Sequence, residues 1–266
     1  MEETFDTPGP VSLSIELGAG DIEVQATDAA QTRVRITGYA KEQPPRVTCD
    51  PTPDGGHRVV VEHRPKKTWG FSFSKGVDVE VLVPTGARVD GSSGAADVEA
   101  IGTFSSLSIR TGAGDIRFGE VTGDVQIACA SGDVEGGSVG GHLSVKGASG
   151  DIEVGSVGHG LTVRSASGDI DVGALEGSTV ITVGSGDIEL RDVGAGRVEI
   201  RAVAGDVDIG VREGLGVWLD VASSSGDVHS SLEASGRDEP RGEPELELAV
   251  HTVSGDVDIR RARGKG

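Results

Sequence analysis

Nine aspartates recur along this chain, each followed at once by Ile or Val and preceded by a glycine or, at Asp97, by an alanine. The first six are spaced 18 residues apart, and the last three continue the series at longer intervals: Asp97, Asp115, Asp133, Asp151, Asp169, Asp187, Asp206, Asp227 and Asp256. A fixed period of this length indicates one supersecondary unit that is repeated and stacked. The pattern predicts an all-β solenoid, and a regular repeat by itself specifies no reaction.

Two pairs of apolar positions in each repeat predict the interior of the coil. With the aspartate at position zero, positions +1 and +3 are apolar in most repeats, as are positions +10 and +12; one repeat has Ile152, Val154, Leu161 and Val163 at these places. Polar residues lie between them, which is the alternation of a strand with one buried face. We therefore expect a right-handed parallel β-helix with two strands per coil, and an apolar residue at +6 that fills the corner between them.

The chain is expected to have two regions. Residues 1–90 depart from the 18-residue period but keep alternating strand patterns and one copy of the motif at Gly20-Asp21-Ile22, so they predict a β-rich N-terminal cap continuous with the solenoid. Residues 91–266 predict the solenoid repeats, with an irregular C-terminal end. A stretch at about 235–244, rich in glycine, proline and charge, predicts a loop insert.

Composition narrows the classes of partner and the compartment. A formal charge of −19 argues against nucleic acid, because phosphate contacts require a basic face. No apolar stretch approaches the length of a membrane span, and no signal peptide pattern is visible. The two cysteines, Cys49 and Cys129, have no framework spacing, so we expect reduced thiols and a cytoplasmic protein. A cell-surface location would need a route that is not visible in the sequence.

Three motifs resemble those of a known bacterial family. They are the tandem Ser-Gly-Asp-Ile/Val units, the Val-Pro-Thr-Gly stretch at 83–86, and the closing Thr-Val-Ser-Gly-Asp-Val-Asp-Ile at 252–259. Together they resemble the β-strand-repeat family labelled "putative adhesin", a domain of unknown function common in actinobacteria. The resemblance covers essentially the whole chain, implies a β-helical fold, and supplies no catalytic residues.

The aspartate column is the feature that most suggests a ligand. Carboxylates stacked about 4.8 Å apart repel one another, so something must compensate for their charge. One interpretation is that each aspartate accepts backbone N–H bonds within its own turn. The alternative is a Ca²⁺ ladder, because carboxylate oxygens are typical calcium ligands; its members would be Asp115, Asp133, Asp151, Asp169 and Asp187. Apart from this possible Ca²⁺, no cofactor is expected.

One aromatic and basic cluster stands out in an acidic chain. Its residues are Lys66, Lys67, Trp69, Phe71 and Phe73, which either bind a partner or cover the open end of the solenoid. His142 and His159 fall in the same turn region of adjacent coils, but no further ligand completes a tetrahedral metal set. The Gly-x-Ser-x-Gly match at 136–140 lacks the helix of a nucleophile elbow, so no catalytic residue is predicted.

These observations predict a non-enzymatic structural scaffold or protein-interaction module. Its partner would be an unknown protein or a second copy. Acidic residues line one strand of each coil, and the other strand carries outward basic residues at Arg110, Lys146, Arg164 and Arg201. Oppositely charged faces predict lateral self-association that salt weakens. The alternatives are a Ca²⁺-stabilised surface adhesin and, more remotely, a polysaccharide-active β-helix enzyme.

Overall fold

The computed structural model describes residues 1–63, 76–232 and 244–262, and these residues form strands and turns without a helix. The chain divides into two compact units, Met1–Gly137 and Ser138–Gly266. The predicted all-β solenoid is confirmed, since parallel strands stack in register within each unit. Each unit is described below by itself.

The described residues of unit 1 (Met1–Gly137) form ten complete strands. They are β1 (Glu2–Asp6), β2 (Val11–Thr27), β3 (Gln31–Thr37), β4 (Arg46–Pro51), β5 (His57–His63), β6 (Asp78–Pro84), β7 (Arg88–Phe104), β8 (Ser106–Ala113), β9 (Ile116–Val121) and β10 (Val125–Ser131). The next strand, β11 (Val134–Val139), spans the boundary between the units.

Parallel pairing in unit 1 builds a stack that is not in chain order. Strand β2 lies between β7 on one side and the pair β5 and β6 on the other, and β8 and β9 continue the stack beyond β7. On the other side, antiparallel strands end the stack, because β4 pairs with β5 and β3 pairs with β6. The motif copy at Asp21 lies in register with Asp97 of β7, so β2 already has the solenoid geometry.

In unit 2 (Ser138–Gly266), the part of the chain that the structure describes forms twelve complete strands. They are β12 (Leu143–Ser149), β13 (Ile152–Val157), β14 (Leu161–Ser167), β15 (Ile170–Leu175), β16 (Thr179–Ser185), β17 (Ile188–Val193), β18 (Gly196–Ala204), β19 (Val207–Val211), β20 (Val217–Ser225), β21 (Val228–Ser230), β22 (Leu246–Ser254) and β23 (Val257–Arg261).

The last coils of unit 2 are out of chain order. The even-numbered strands stack in parallel as β12, β14, β16, β18, β22 and β20, and the odd-numbered strands stack as β13, β15, β17, β19, β23 and β21. The coil made by β22 and β23 therefore lies between the coil of β18 and β19 and the coil of β20 and β21. We call this last coil, Val217–Ser225 with Val228–Ser230, the terminal coil.

The predicted apolar columns form the core. In the coil that begins at Asp151, Ile152, Val154, Leu161 and Val163 are buried, as is Val157 at the corner position +6. Their neighbours along the axis are in register, for example Val154 with Val172 and Leu161 with Thr179. The inward and corner positions assigned from the 18-residue period are confirmed.

The predicted boundary at residue 90 stays a prediction, and the solenoid geometry of β2 shows only that parallel stacking begins before it. The predicted loop insert at about 235–244 lies almost entirely outside the described residues. Handedness also stays a prediction.

Candidate functional site

Backbone geometry requires glycine before the aspartate in the regular coils, as Gly168 shows. Gly168 has a φ of +121°, and a Cβ on it would lie 2.1 Å from the carbonyl oxygen of Gly150 in the preceding coil. Only glycine combines this conformation with so close an approach of two backbones. The turn therefore brings each aspartate directly over the aspartate of the neighbouring coil.

The aspartate column is a hydrogen-bonded ladder. In unit 1 the backbone N–H of Asp115 donates to Oδ1 of Asp97 at 2.9 Å, and that of Asp133 donates to Oδ1 of Asp115 at 3.1 Å. In unit 2 the same bond, 2.8–2.9 Å long, joins Asp151, Asp169, Asp187, Asp206, Asp256 and Asp227 in that spatial order.

A donor to seven of the ladder carboxylates thus comes from the next coil; these are Asp97, Asp115, Asp151, Asp169, Asp187, Asp206 and Asp256. The expectation that each aspartate accepts N–H bonds within its own turn is wrong for Asp169 and Asp187, because the close glycine turns place the next coil's N–H beside their carboxylates. A charge-assisted bond to a backbone N–H is stronger than a neutral one, and it offsets part of the repulsion between stacked carboxylates. The ladder therefore supplies a structural reason for the repeated aspartate.

The calcium hypothesis for Asp115, Asp133, Asp151, Asp169 and Asp187 stays a prediction. In Asp169 and Asp187 the Oδ1 atom accepts a backbone N–H, and Oδ2 is the oxygen that could ligate a cation, whereas Oδ2 of Asp115 lies 3.6 Å from Arg117. Across the described residues, no group of three or more His, Cys, Asp and Glu side chains converges as a metal site would require.

Acidic and basic columns lie on different strands of unit 2. Outward acids of the odd-numbered strands stand in register, in the order Glu153, Asp171, Glu189, Asp208 and Asp258. On the even-numbered strands, Lys146 is in register with Arg164, and Thr182 separates Arg164 from Arg201. The two columns of opposite sign expected from the sequence are present, and lateral association through them stays a prediction.

Several of the acids are already paired with arginines. Arg191 contacts Asp171 and lies 3.6 Å from Glu189, and Arg260 contacts Asp208. Arg212 donates two hydrogen bonds of 3.0 and 3.1 Å to Asp192 and contacts Glu176, and these bonds raise the pKa of Arg212. The odd-numbered strands therefore carry fewer unpaired carboxylates than their sequence implies.

The terminal coil exposes side chains that other coils bury. Leu219 and Val228 occupy inward columns, yet they are 37% and 47% exposed, and the outward-facing Trp218 is 51% exposed. Sequence reasoning missed this surface, because it assumed that coils stack in chain order. The only signal was the 29-residue interval between Asp227 and Asp256, which leaves room for the chain to return and fill a gap.

The remaining candidates do not assemble into a site among the described residues. Lys66, Lys67, Trp69, Phe71 and Phe73 all lie outside the described part of the chain. His142 contacts the hydroxyl of Thr162 at 3.1 Å, whereas His159 contacts the carbonyl of Gly140. Cys129 is a buried free thiol whose pKa is raised by burial. Within the described residues, no helix is long and apolar enough to span a membrane.

Solved structures with a similar course of the chain include three bacterial proteins. A putative adhesin from Bacteroides fragilis NCTC 9343 is 12% identical with a TM-score of 0.48, covering 98% of this chain and 96% of the other. A putative lipid binding protein from Parabacteroides distasonis ATCC 8503 is 15% identical with a TM-score of 0.44, covering 97% and 96%. A putative cell adhesion protein from Clostridium sporogenes ATCC 15579 is 11% identical with a TM-score of 0.27, covering 98% and 99%.

Similarity at this level carries no inference about activity. No curated protein is similar enough to match this sequence. The family model described as Toastrack DUF4097 matches residues 11–260, which is nearly the whole chain. The expected membership in a β-strand-repeat family of unknown function is therefore confirmed, while an actinobacterial type stays a prediction. The chain belongs to the Toastrack DUF4097 family.

Proposed function

We propose that this chain is a non-enzymatic scaffold that acts as a protein-interaction module, with the terminal coil of unit 2 as its binding surface. The observation that carries the proposal is the contrast between neighbouring coils. Leu248 and Val257 are 0% and 1% exposed, whereas Leu219 and Val228, which follow them in the same columns, are 37% and 47% exposed. Exposed apolar side chains that are grouped together are typical of interaction sites.

The interior coils support a scaffold role. Their apolar columns are buried, and their aspartates are bound by backbone N–H groups of neighbouring coils. Stacked repeats of this kind hold a surface in fixed geometry, because each coil is stabilised by its neighbours. A rigid stack that leaves an apolar coil exposed suits binding of another protein. The cytoplasmic location expected from the sequence stays a prediction.

In-cell photo-cross-linking tests the proposal. A photoreactive phenylalanine analogue replaces Trp218 in one variant and Val203 in the other; Val203 is 57% exposed and lies on β18 of the same unit. We expect a protein adduct from position 218 and none from position 203, because only the first lies on the proposed surface. Absence of any adduct at 218, or the same adducts at both positions, would contradict the proposal.

The mass of the adduct identifies the class of partner. An adduct of twice the chain mass indicates a second copy, and any other mass indicates a different protein. Either mass supports an interaction module, so this experiment separates the proposed function from the more specific inference below.

A further inference from the structure

We infer that the terminal coil docks against the terminal coil of a second copy of this chain, end to end and related by a two-fold axis. This inference rests on the proposed function and specifies its partner. It depends on two features of the terminal coil, backbone N–H groups without an acceptor among the described residues and a long edge strand with little charge. It also depends on the antiparallel strands that end the stack in unit 1.

The backbone of the terminal coil repeats a pattern of donors that another strand normally satisfies. In the preceding coil, the N–H of Gly255 donates to the carbonyl of Ser225 at 3.1 Å, and the N–H of Val257 donates to that of Asp227 at 2.9 Å. The equivalent donors one coil further are the N–H groups of Gly226 and Val228. Within the described residues these two groups have no hydrogen-bond acceptor, and the Asp227 carboxylate has no donor.

The edge strand β20 lacks the features that usually prevent strand addition. It has nine residues, Val217–Ser225, with no proline or lysine, and its one charged side chain is Asp220. Asp220 lies 3.9 Å from His251 of the adjacent strand, and both side chains are about half exposed. Long edge strands without charge or proline are prone to pair with another chain.

A second copy fits because antiparallel strands already end a parallel stack in this protein. In unit 1, β4 pairs antiparallel with β5 and β3 pairs antiparallel with β6. A two-fold axis presents β20 of the second copy in the antiparallel direction. With the axis at Val221, Leu219 faces Ser223 and Asp220 faces Ala222, so no like charges are opposed and the inward residues stay on the inner face.

Charge and size set how this dimer responds to conditions. Each copy carries a formal charge of −19, so the two copies repel each other, and salt reduces that repulsion. A contact made by one coil buries less surface than the roughly 800 Å² per partner of a standard interface, so we expect weak association. The dimer therefore strengthens with salt, whereas lateral pairing of oppositely charged faces weakens with salt.

Sedimentation velocity of the full chain tests the inference. We expect a monomer at low concentration, a dimer as concentration rises, and a larger dimer fraction in about 500 mM than in about 50 mM NaCl. Leu219→Glu should raise the dissociation constant at least tenfold, because it places a carboxylate in the contact on both copies. Val203→Glu is the matched control, with the same charge change at an exposed valine on β18, and it should dimerise like the parent.

Trp218→Lys gives a second variant that leaves the inward columns intact, and thermal melting checks that each variant is folded. A chain that stays monomeric at every concentration and salt would overturn the inference. So would a dimer that is unaffected by Leu219→Glu and Trp218→Lys in folded protein, or an association that weakens as salt rises. A cross-linked adduct of a different mass with a monomeric chain would leave the proposed function standing and remove this partner.

Discussion

At the scale of single residues, the ladder depends on a glycine that permits close coil contact and an aspartate that uses it. Gly168 approaches Gly150 so closely that no side chain fits between them. The Asp169 carboxylate then receives the N–H of Asp187 at 2.8 Å. Both residues are therefore structural in this account, which makes their substitution a test of folding stability rather than of activity.

Gly168→Ala should be strongly destabilising. A Cβ at Gly168 would clash with backbone atoms of the preceding coil, and alanine would have to adopt a positive φ that L-residues avoid. Together these cost at least about 1–3 kcal/mol. Urea unfolding measures the free energy. Gly216→Ala is the control, because nothing lies within 4 Å of its Cβ position, and it should change stability by less than about 0.5 kcal/mol. Equal effects at both positions would show that the turn geometry is not what requires glycine.

Asp169→Ala and Asp169→Asn separate the hydrogen bond from the charge. Alanine removes the acceptor of the Asp187 N–H and should lower the free energy of unfolding by about 1 kcal/mol. Asparagine keeps a side-chain oxygen and also removes one of the stacked like charges, so its loss should be smaller. Chemical denaturation of both variants measures the difference. An asparagine variant less stable than the alanine variant would mean that the carboxylate charge itself is required.

Sequence reasoning predicted which residues point inward but not what binds the aspartates. The two-residue alternation is local, so Ile152 and Val154 could be assigned to the core from neighbouring letters alone. The donor to Asp151 is the N–H of Asp169, and its position depends on how closely two coils approach. That distance is set by glycine φ values, which the letters do not give.

At the scale of strands, side chains compensate between coils. Gly136 of β11 stands at position +3, where most other repeats have a large apolar residue, and a Cβ there would lie 2.3 Å from the ring of Phe118 on β9. Phe118 thus fills space that its neighbour leaves empty. The sequence shows a glycine at Gly136 and a phenylalanine at Phe118 in the preceding repeat. It does not show that the phenylalanine ring fills the space beside the glycine.

The pair can be exchanged for the valine pair seen in unit 2, where Val154 and Val172 are in register. Gly136→Val alone should destabilise by roughly 1–3 kcal/mol because it clashes with the Phe118 ring. Phe118→Val alone should destabilise because it leaves a cavity. The double variant should recover roughly 1–3 kcal/mol relative to the sum of the single changes. A double-mutant cycle by urea unfolding measures this coupling, and simple additivity would contradict the packing described.

Strand order was the feature least accessible from the sequence. Every repeat but the one at Asp97 carries the same Gly-Asp-Val or Gly-Asp-Ile motif, so the motif does not distinguish one neighbouring coil from another, and order was assumed to follow the chain. In unit 2 the coil of β22 and β23 pairs with β18 and β19 on one side and with β20 and β21 on the other. The coil that remains exposed is therefore not the last one in the sequence.

At the scale of the whole molecule, we expect the protein to fold without a ligand. In each unit, parallel strands stack with their apolar columns buried, and backbone N–H groups donate to ladder carboxylates. Stability in such stacks comes from contacts between neighbouring coils. A calcium-dependent adhesin would lose stability without the metal, because Ca²⁺ would be needed to offset the repulsion between its carboxylates.

Folding without Ca²⁺ can be tested by thermal melting after EDTA treatment. The melts are recorded with and without millimolar Ca²⁺, and with Mg²⁺ as the control. A ligand that binds only the folded state raises the melting temperature, and the rise grows with the logarithm of the ligand concentration relative to its dissociation constant. We predict a cooperative transition in EDTA and no rise that is specific to Ca²⁺, because backbone N–H groups already compensate the ladder. A large rise with Ca²⁺ and not with Mg²⁺ would contradict the account and identify the aspartate column as a metal site.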